Sequence, residues 1–438
     1  MNQIKNLGWR VTMAGVGINL ALGILYTWSI FKMTIKESIV AGDGLFNWDL
    51  ASLNDPYAVC CLVFAFTMVV AGRVQDTLSP KVTAVIGGIF TGTGLLMIAF
   101  NNSWASWIVG FGWLMGMGLG FGYASATPPA IKWFPPAKTG MIAGIVVAGF
   151  GLASVYIAPL AIFLIDTYGL SQSMMVFGIA FLIIVSLLAQ FLVNPPEGYV
   201  HPDTITNNTI GANNVIDYSP KEMMKTSAFF KLWIMFCIGS GAGLMIIGGV
   251  AGMAKEGMGQ MAWIVVALMA VGNASGRVIA GILSDKIGRE YTLCIMMVLQ
   301  SVIISSLLFI APTQVMLIVL AATMIGFNYG TNLSLFPSAT KDYFGLKNFG
   351  VNYGLVFTAW GVGGFIFPRV SQMIVAYSNS PKMAYIIASG LLLIGAVLAL
   401  MTKSPVVQNE NETPELVPSP IPVSANIQAH AMGQLKSN

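Results

Sequence analysis

Charge is scarce in this sequence. Only 9% of its 438 residues are Asp, Glu, Lys or Arg, where a soluble domain carries about 25%. That scarcity excludes a fold dissolved in water, and the net charge of +4 gives no reason to invoke nucleic acid as a partner. Histidine is nearly absent, at two residues. The four cysteines, Cys60, Cys61, Cys237 and Cys294, lie in apolar runs without zinc-type spacing and read as packing residues. Neither a metal nor a cofactor is expected. No His/Glu cluster, activated Ser or Cys motif or phosphate-binding loop is present, so an enzyme is not expected. The first apolar run is too long for a signal-peptide core and ends without a small-residue cleavage site, so no cleaved leader is expected.

Apolar residues fill the space that charge leaves, at 56% of the chain. A membrane-crossing helix needs about 20 mostly apolar residues. Twelve runs qualify: 8–31, 56–75, 82–101, 105–131, 140–164, 170–193, 229–253, 260–284, 291–311, 315–337, 350–374 and 383–402. The expected fold is therefore an all-α membrane protein with twelve transmembrane helices in two six-helix bundles. Residues 1–193 would form the first bundle, 194–228 a cytoplasmic central loop, 229–404 the second bundle and 405–438 a disordered cytoplasmic tail rich in Pro, Asn and Glu. With the N-terminus inside, 15 of the 21 Lys and Arg residues fall on the cytoplasmic side. Five fall outside and one, Arg277, lies within a span, which places both termini in the cytoplasm of a multi-pass protein of the cell (inner) membrane.

The two halves echo one another. The stretch from Gly72 to Lys81 follows span two, and Gly281 to Arg289 follows span eight; Gly72 and Asp76 each match their counterparts at an offset of 209. Gly120-Phe121-Gly122-Tyr123 in span four likewise pairs with Gly326-Phe327-Asn328-Tyr329 in span ten. Duplicated bundles joined by a loop are the organisation of alternating-access carriers, whose substrate sits near the midplane between the halves. Gly116 with Gly120, and Gly140 with Gly144, form G-x-x-x-G faces that let helices approach closely. Pro128 and Pro129 are expected to bend span four.

At these residues the chain resembles the major facilitator superfamily. Gly281–Arg289 is close to its cytoplasmic loop signature, G-x-L-x-D-x-x-G-R, while the first-half copy keeps Asp76 but has Thr77, Ser79 and Pro80 where the pattern differs. The resemblance, with the chemistry of an acid at a helix end, implies a conformational latch made by Asp76, Asp285 and Arg289. Gly118–Tyr123, Trp133-Phe134-Pro135, Asn194–Tyr199, Thr226–Trp233, Leu335–Ser338, Asp342–Gly345 and Asn352-Tyr353-Gly354 narrow it to the oxalate/formate antiporter and monocarboxylate transporter group. The likeness covers about residues 8 to 402.

Arg277 stands alone in an apolar run from about 262 to 283. A buried guanidinium at membrane depth costs roughly 2.5–3.5 kcal/mol or more, and its planar fork matches a carboxylate. This is also where the resembled family places its substrate-binding arginine. The other reading is that Arg277 snorkels toward the cytoplasmic edge. Asn273, one turn earlier, shares its face and can donate to the same carboxylate or steady the guanidinium. Tyr26, Tyr123, Tyr329, Phe336, Phe357 and Trp360 would line the pathway, with the hydroxyls donating and the rings keeping the site dry.

Two departures bear on substrate and coupling. Animal-type monocarboxylate transporters resemble this chain but carry Asp where Asn273 stands; oxalate carriers resemble it but carry Lys where Trp360 stands. One cation suits one carboxylate, and a dianion would leave charge uncompensated in a low dielectric. The expectation is a monomeric carrier of a small monocarboxylate of the lactate, pyruvate, acetate or formate class, with protons as a second partner and the lipid bilayer as solvent. Without a carboxylate deep in any span, Asp55, Glu256 or the undissociated acid would carry the proton. Exchange of carboxylates of the oxalate/formate type is the alternative, and a membrane sensor on the carrier fold a more distant one.

Overall fold

A computed structural model describes residues 6–196, 198, 199, 201, 217–258, 263–311 and 313–405. The expected tail lies outside these residues except for Pro405, as do residues 197, 200 and 202–216 of the loop between the halves. The described residues form twelve long helices: α1 (Gly8–Ala41), α2 (Asp55–Thr77), α3 (Pro80–Phe100), α4 (Trp104–Lys132), α5 (Thr139–Tyr168), α6 (Leu170–Ala189), α7 (Ser227–Met258), α8 (Trp263–Ile287), α9 (Arg289–Ser306), α10 (Val315–Phe344), α11 (Phe349–Ser378) and α12 (Lys382–Leu400). Among the described residues, eleven of these carry a segment long and apolar enough to cross a membrane. The remaining helix, α9, has 18 residues, opens on Arg289 and Glu290, and buries Gln300. It packs against α10 and α12 and completes the second bundle. Outward faces carry exposed apolar side chains such as Phe66, Val70, Leu187, Val302, Ile386 and Val397, which suits a lipid surface, where water would penalise them.

Helix α1 departs from the sequence reading. It runs ten residues past the expected end to Ala41 and stops at Gly42, whose φ of 65° is the left-handed cap that glycine tolerates. Midway, at Gly23–Thr27, it tightens into a 3₁₀ turn. A methyl at Gly23 would strike Ala153 and the Phe150 carbonyl of α5, so the turn forms where α5 presses closest, and it carries Tyr26. Helix α4 runs through Pro128 and Pro129 to Lys132; its irregularity lies earlier, in a π-helical stretch at Ile108–Met115. In the Gly118–Gly122 motif each glycine admits a different neighbour: Gly118 faces Thr91 of α3, Gly120 faces Thr67 of α2, and Gly122 faces Leu22 of α1.

The end of the loop between the halves belongs structurally to the second half. Asp217 accepts hydrogen bonds from the N–H groups of Leu346 and Lys347, and Asn352 donates its amide to the Tyr218 carbonyl. Ser219 and Glu222 cap each other in a short turn, and the Ser219 contacts hold the Glu222 carboxyl below its usual range. Several motif residues are fasteners of this kind. Trp133 donates to the Val193 carbonyl at 2.9 Å, Thr226 accepts from the Phe229 N–H at 3.2 Å, and Trp233 donates to Thr358 at 2.9 Å.

The halves meet chiefly along two helix pairs, α5 with α8 and α2 with α11, with α10 also touching α5. Both main contacts are made by glycine. A methyl at Gly140 would collide with the Gly281 carbonyl, and a methyl at Gly72 with the Gly350 carbonyl. On the face that holds these contacts, Asp285 accepts from the N–H groups of Gly140 and Met141, both at 2.8 Å. Asp76 accepts from Gly350 and Val351 at 3.0 and 2.9 Å. Each aspartate thus caps the first turn of a helix in the opposite half, where unpaired N–H groups and the helix dipole favour an anion. Arg289 bridges Asp285 and Asp342, both at 2.7 Å, and also donates to Ser284. Asp76 has no ion pair among the described residues.

Candidate functional site

Arg277 is wholly buried, with 0% exposure, and its side chain turns across the interface between the halves, away from the membrane edge. The approach that allows this is again made by glycine. A methyl at Gly144 of α5 would overlap the Arg277 carbonyl, and one at Gly151 would touch Asn273 and the guanidinium. With α5 that close, Arg277 Nη1 donates to the Val147 carbonyl. Nε donates to Asn273 Oδ1 at 2.9 Å, and Nη2 points at the Tyr26 hydroxyl at 3.5 Å. All three partners are neutral. No Asp or Glu among the described residues pairs with Arg277, so its charge has only dipoles to rest against.

Beyond Tyr26 the network continues. The Tyr26 and Tyr329 hydroxyls lie 3.1 Å apart, and the Trp360 indole donates to Tyr329 at 2.8 Å. Since indole is a donor only, Tyr329 accepts from it and is free to donate to Tyr26. A cavity beside this chain is lined by Tyr26, Tyr123, Phe357 and Trp360, together with Phe64, Phe150 and Leu333. At about 10 Å³ it has room for roughly one water, so admitting a carboxylate requires the aromatic walls to part. The walls are ring against ring across the halves: Phe64 meets Phe357 at 5.2 Å and Trp360 at 5.4 Å, and Tyr123 meets Phe357 at 5.4 Å.

The structure therefore brings Arg277, Asn273, Tyr26, Tyr123, Tyr329, Phe357 and Trp360 together. It does not bring Phe336 to the cavity. Phe336 is stacked on Phe236 at 4.3 Å within the second half. It sits seven residues, about 10 Å along the helix, from Tyr329, which puts it below the level of the site. Phe64 and Phe150 carry no mark in the sequence beyond aromatic identity on spans that carry many aromatics. Asp342, which holds Arg289, stands in the sequence only as part of the Asp342–Gly345 motif. Asp55 begins α2 and Glu256 falls in the last turns of α7, both remote along their helices from the face of the two aspartate caps.

Comparison with known proteins follows the same lines. A sequence profile of the Major Facilitator Superfamily matches residues 11–368 and, a second time, 232–437. The chain is 28% identical to YhjX, an MFS-type transporter of Escherichia coli strain K12, over 81% of this chain and 85% of that one. It is 24% identical to the oxalate:formate antiporter of Oxalobacter formigenes, over 81% and 82% respectively. The crystal structure of the human organic anion transporter MFSD10 superposes with a TM-score of 0.67 at 12% identity, covering 90% of this chain and 99% of that one; this likeness shows the fold.

Proposed function

We propose that this chain, which belongs to the Major Facilitator Superfamily, carries a small monocarboxylate across the cell membrane by alternating access, coupled to protons. The observation that supports this is the electrostatic state of Arg277, a buried cation whose contacts are all uncharged. A carboxylate at its Nη atoms would supply the missing counter-charge. Among the described residues no charged one lines the cavity itself, and Arg277 adjoins it through Tyr26, so one negative charge balances the site and a second would be buried unpaired. The face of the aspartate caps is taken as cytoplasmic, because most of the Lys and Arg lie there, and the monomer is taken as the working unit.

A second reading is obligatory exchange of carboxylates. It is favoured by the absence of any acidic residue from the described cavity lining, which leaves no protein group to neutralise Arg277 between cargoes, and by likeness to an antiporter. Uptake of labelled L-lactate into proteoliposomes separates the two. Accumulation driven by an inward proton gradient without internal anion, and abolished by an uncoupler, supports symport. Uptake only into vesicles preloaded with carboxylate supports exchange. Undiminished flux in Arg277→Ala overturns both.

A further inference from the structure

A second cavity opens on the face of the aspartate caps, outside the Arg277 network. Its volume is about 200 Å³, and Tyr218, Thr226, Ser227, Lys231 and Lys403 are among the residues that wall it. Tyr218 fixes its level. The Tyr218 N–H donates to the Phe344 carbonyl, and the Tyr218 carbonyl accepts from Asn348 and Asn352. Those asparagines flank Gly350 and Val351, whose N–H groups Asp76 caps. The cavity lies between the start of α7 and the end of α12, two helices that pack together.

Its walls are positive and unbalanced. Lys231 Nζ rests on the Met401 carbonyl at 2.8 Å, a neutral partner. Lys403 is exposed, and neither lysine has an ion pair among the described residues. No Asp or Glu among the described residues lines the cavity. Thr226 accepts from the Phe229 N–H. Ser227 and Ala228 open α7, where N–H groups lack a partner within the helix and the dipole favours an anion. Apolar side chains lead up to this spot. On α7, Phe230 and Ile234 continue the face of Ser227, and on α12 Val397, Leu400 and Met401 approach the same end; all five are exposed. Two cations at the edge of the span, beside apolar surface open to lipid, fit a molecule anionic at its head and apolar below.

We infer that this cavity binds the phosphate of an anionic phospholipid headgroup, with Lys231 and Lys403 as its charge partners and the acyl chains lying along α7 and α12. Basic pockets between membrane helices on the cytoplasmic side take such headgroups, and each lysine near an anionic leaflet contributes about fivefold in binding. A zwitterionic headgroup brings a cation of its own, which the two lysines repel. A free phosphate has the charge but leaves the apolar surface of α7 and α12 unused. The site stands whatever cargo Arg277 carries.

The test titrates full-length protein in neutral detergent with phosphatidylglycerol, phosphatidylcholine or inorganic phosphate, and counts bound lipid by native mass spectrometry. Phosphatidylglycerol is expected to bind saturably and at least about tenfold more tightly than phosphatidylcholine. Inorganic phosphate in about tenfold excess is expected to leave it bound, since phosphate gains nothing from the apolar surface. Lys231→Gln and Lys403→Gln are each expected to weaken binding about fivefold, while Lys286→Gln, at the exposed end of α8, binds as the wild type. The Lys403 side chain has no hydrogen bond or ion pair among the described residues, so its variant separates charge from folding. Equal binding of the two lipids, displacement by phosphate, or full binding in both cavity-lysine variants would each overturn the inference. So would lipid binding that appears only once residues 406–438 are deleted, which would give the cavity to Glu410, Glu412 and Glu415 of the chain's own end.

Discussion

Asp76 and Asp285 stand 209 residues apart and perform the same act in opposite directions. Asp76 of the first half caps α11 of the second, and Asp285 of the second half caps α5 of the first. The pair is symmetric in its backbone contacts and unequal in its surroundings, because only Asp285 is shared with an arginine. Hydrogen bonds to a charged group contribute about 1.5–3 kcal/mol each.

Removing either carboxylate should therefore shift the halves apart on this face. Asp285→Ala is expected to lower the closed population at least tenfold, read as lengthened distances between spin labels placed on the two halves. Asp76→Ala is expected to do less, since it strands no buried guanidinium. Equal effects would mean that Arg289 adds nothing to the clamp.

The glycine contact between α5 and α8 gives a steric prediction. Gly144→Ala puts a methyl into the Arg277 carbonyl, a backbone atom that cannot swing away. Transport should fall at least tenfold with insertion and amount of protein unchanged. Gly390→Ala on α12, where a methyl meets nothing within 4 Å, should be silent, and serves as the control.

Asn273→Asp would place a carboxylate on Arg277 Nε and neutralise the guanidinium proposed to hold the substrate. The ionised form competes with cargo and the protonated form does not. KM for the anion is therefore expected to rise about tenfold at neutral pH and to recover as pH falls through the new carboxyl's titration, measured as KM against pH. A pH-independent KM would show that Asn273 does not set the charge of the site.

Trp360→Lys adds a second cation beside Tyr329 and removes a ring packed on Phe64 and Phe357. Uptake of oxalate relative to formate should increase at least tenfold. An unchanged ratio would place position 360 outside the cargo's reach.

Much of this site was readable from the chain, for identifiable reasons. Arg277 announced itself as a lone charge in an apolar run, Asn273 followed from one helical turn, and the two aspartates from an internal repeat. What could not be read depends on contacts across the halves. Val147 offers a backbone carbonyl, which no side chain advertises, and it lies 130 residues from its arginine. Tyr353 was visible only as part of a motif, and its meeting with Tyr123 is a property of the packed state. Phe336 lies outside the cavity lining, because periodicity gives the face of a helix and leaves the depth along it open. The 3₁₀ turn that presents Tyr26 begins at Gly23, where α5 lies too close for a side chain, a contact local sequence does not encode.

The main-chain contacts at Gly72 with Gly350 and Gly140 with Gly281 have a mechanical consequence. Side chains that interlock must be withdrawn from one another before two surfaces can part, and each withdrawal adds to the barrier. Where backbone rests on backbone there are no teeth to disengage. If the halves rock as proposed, these two points would act as bearings: they would carry the load of the closed face through the aspartate caps, and release it in a single step once those caps let go.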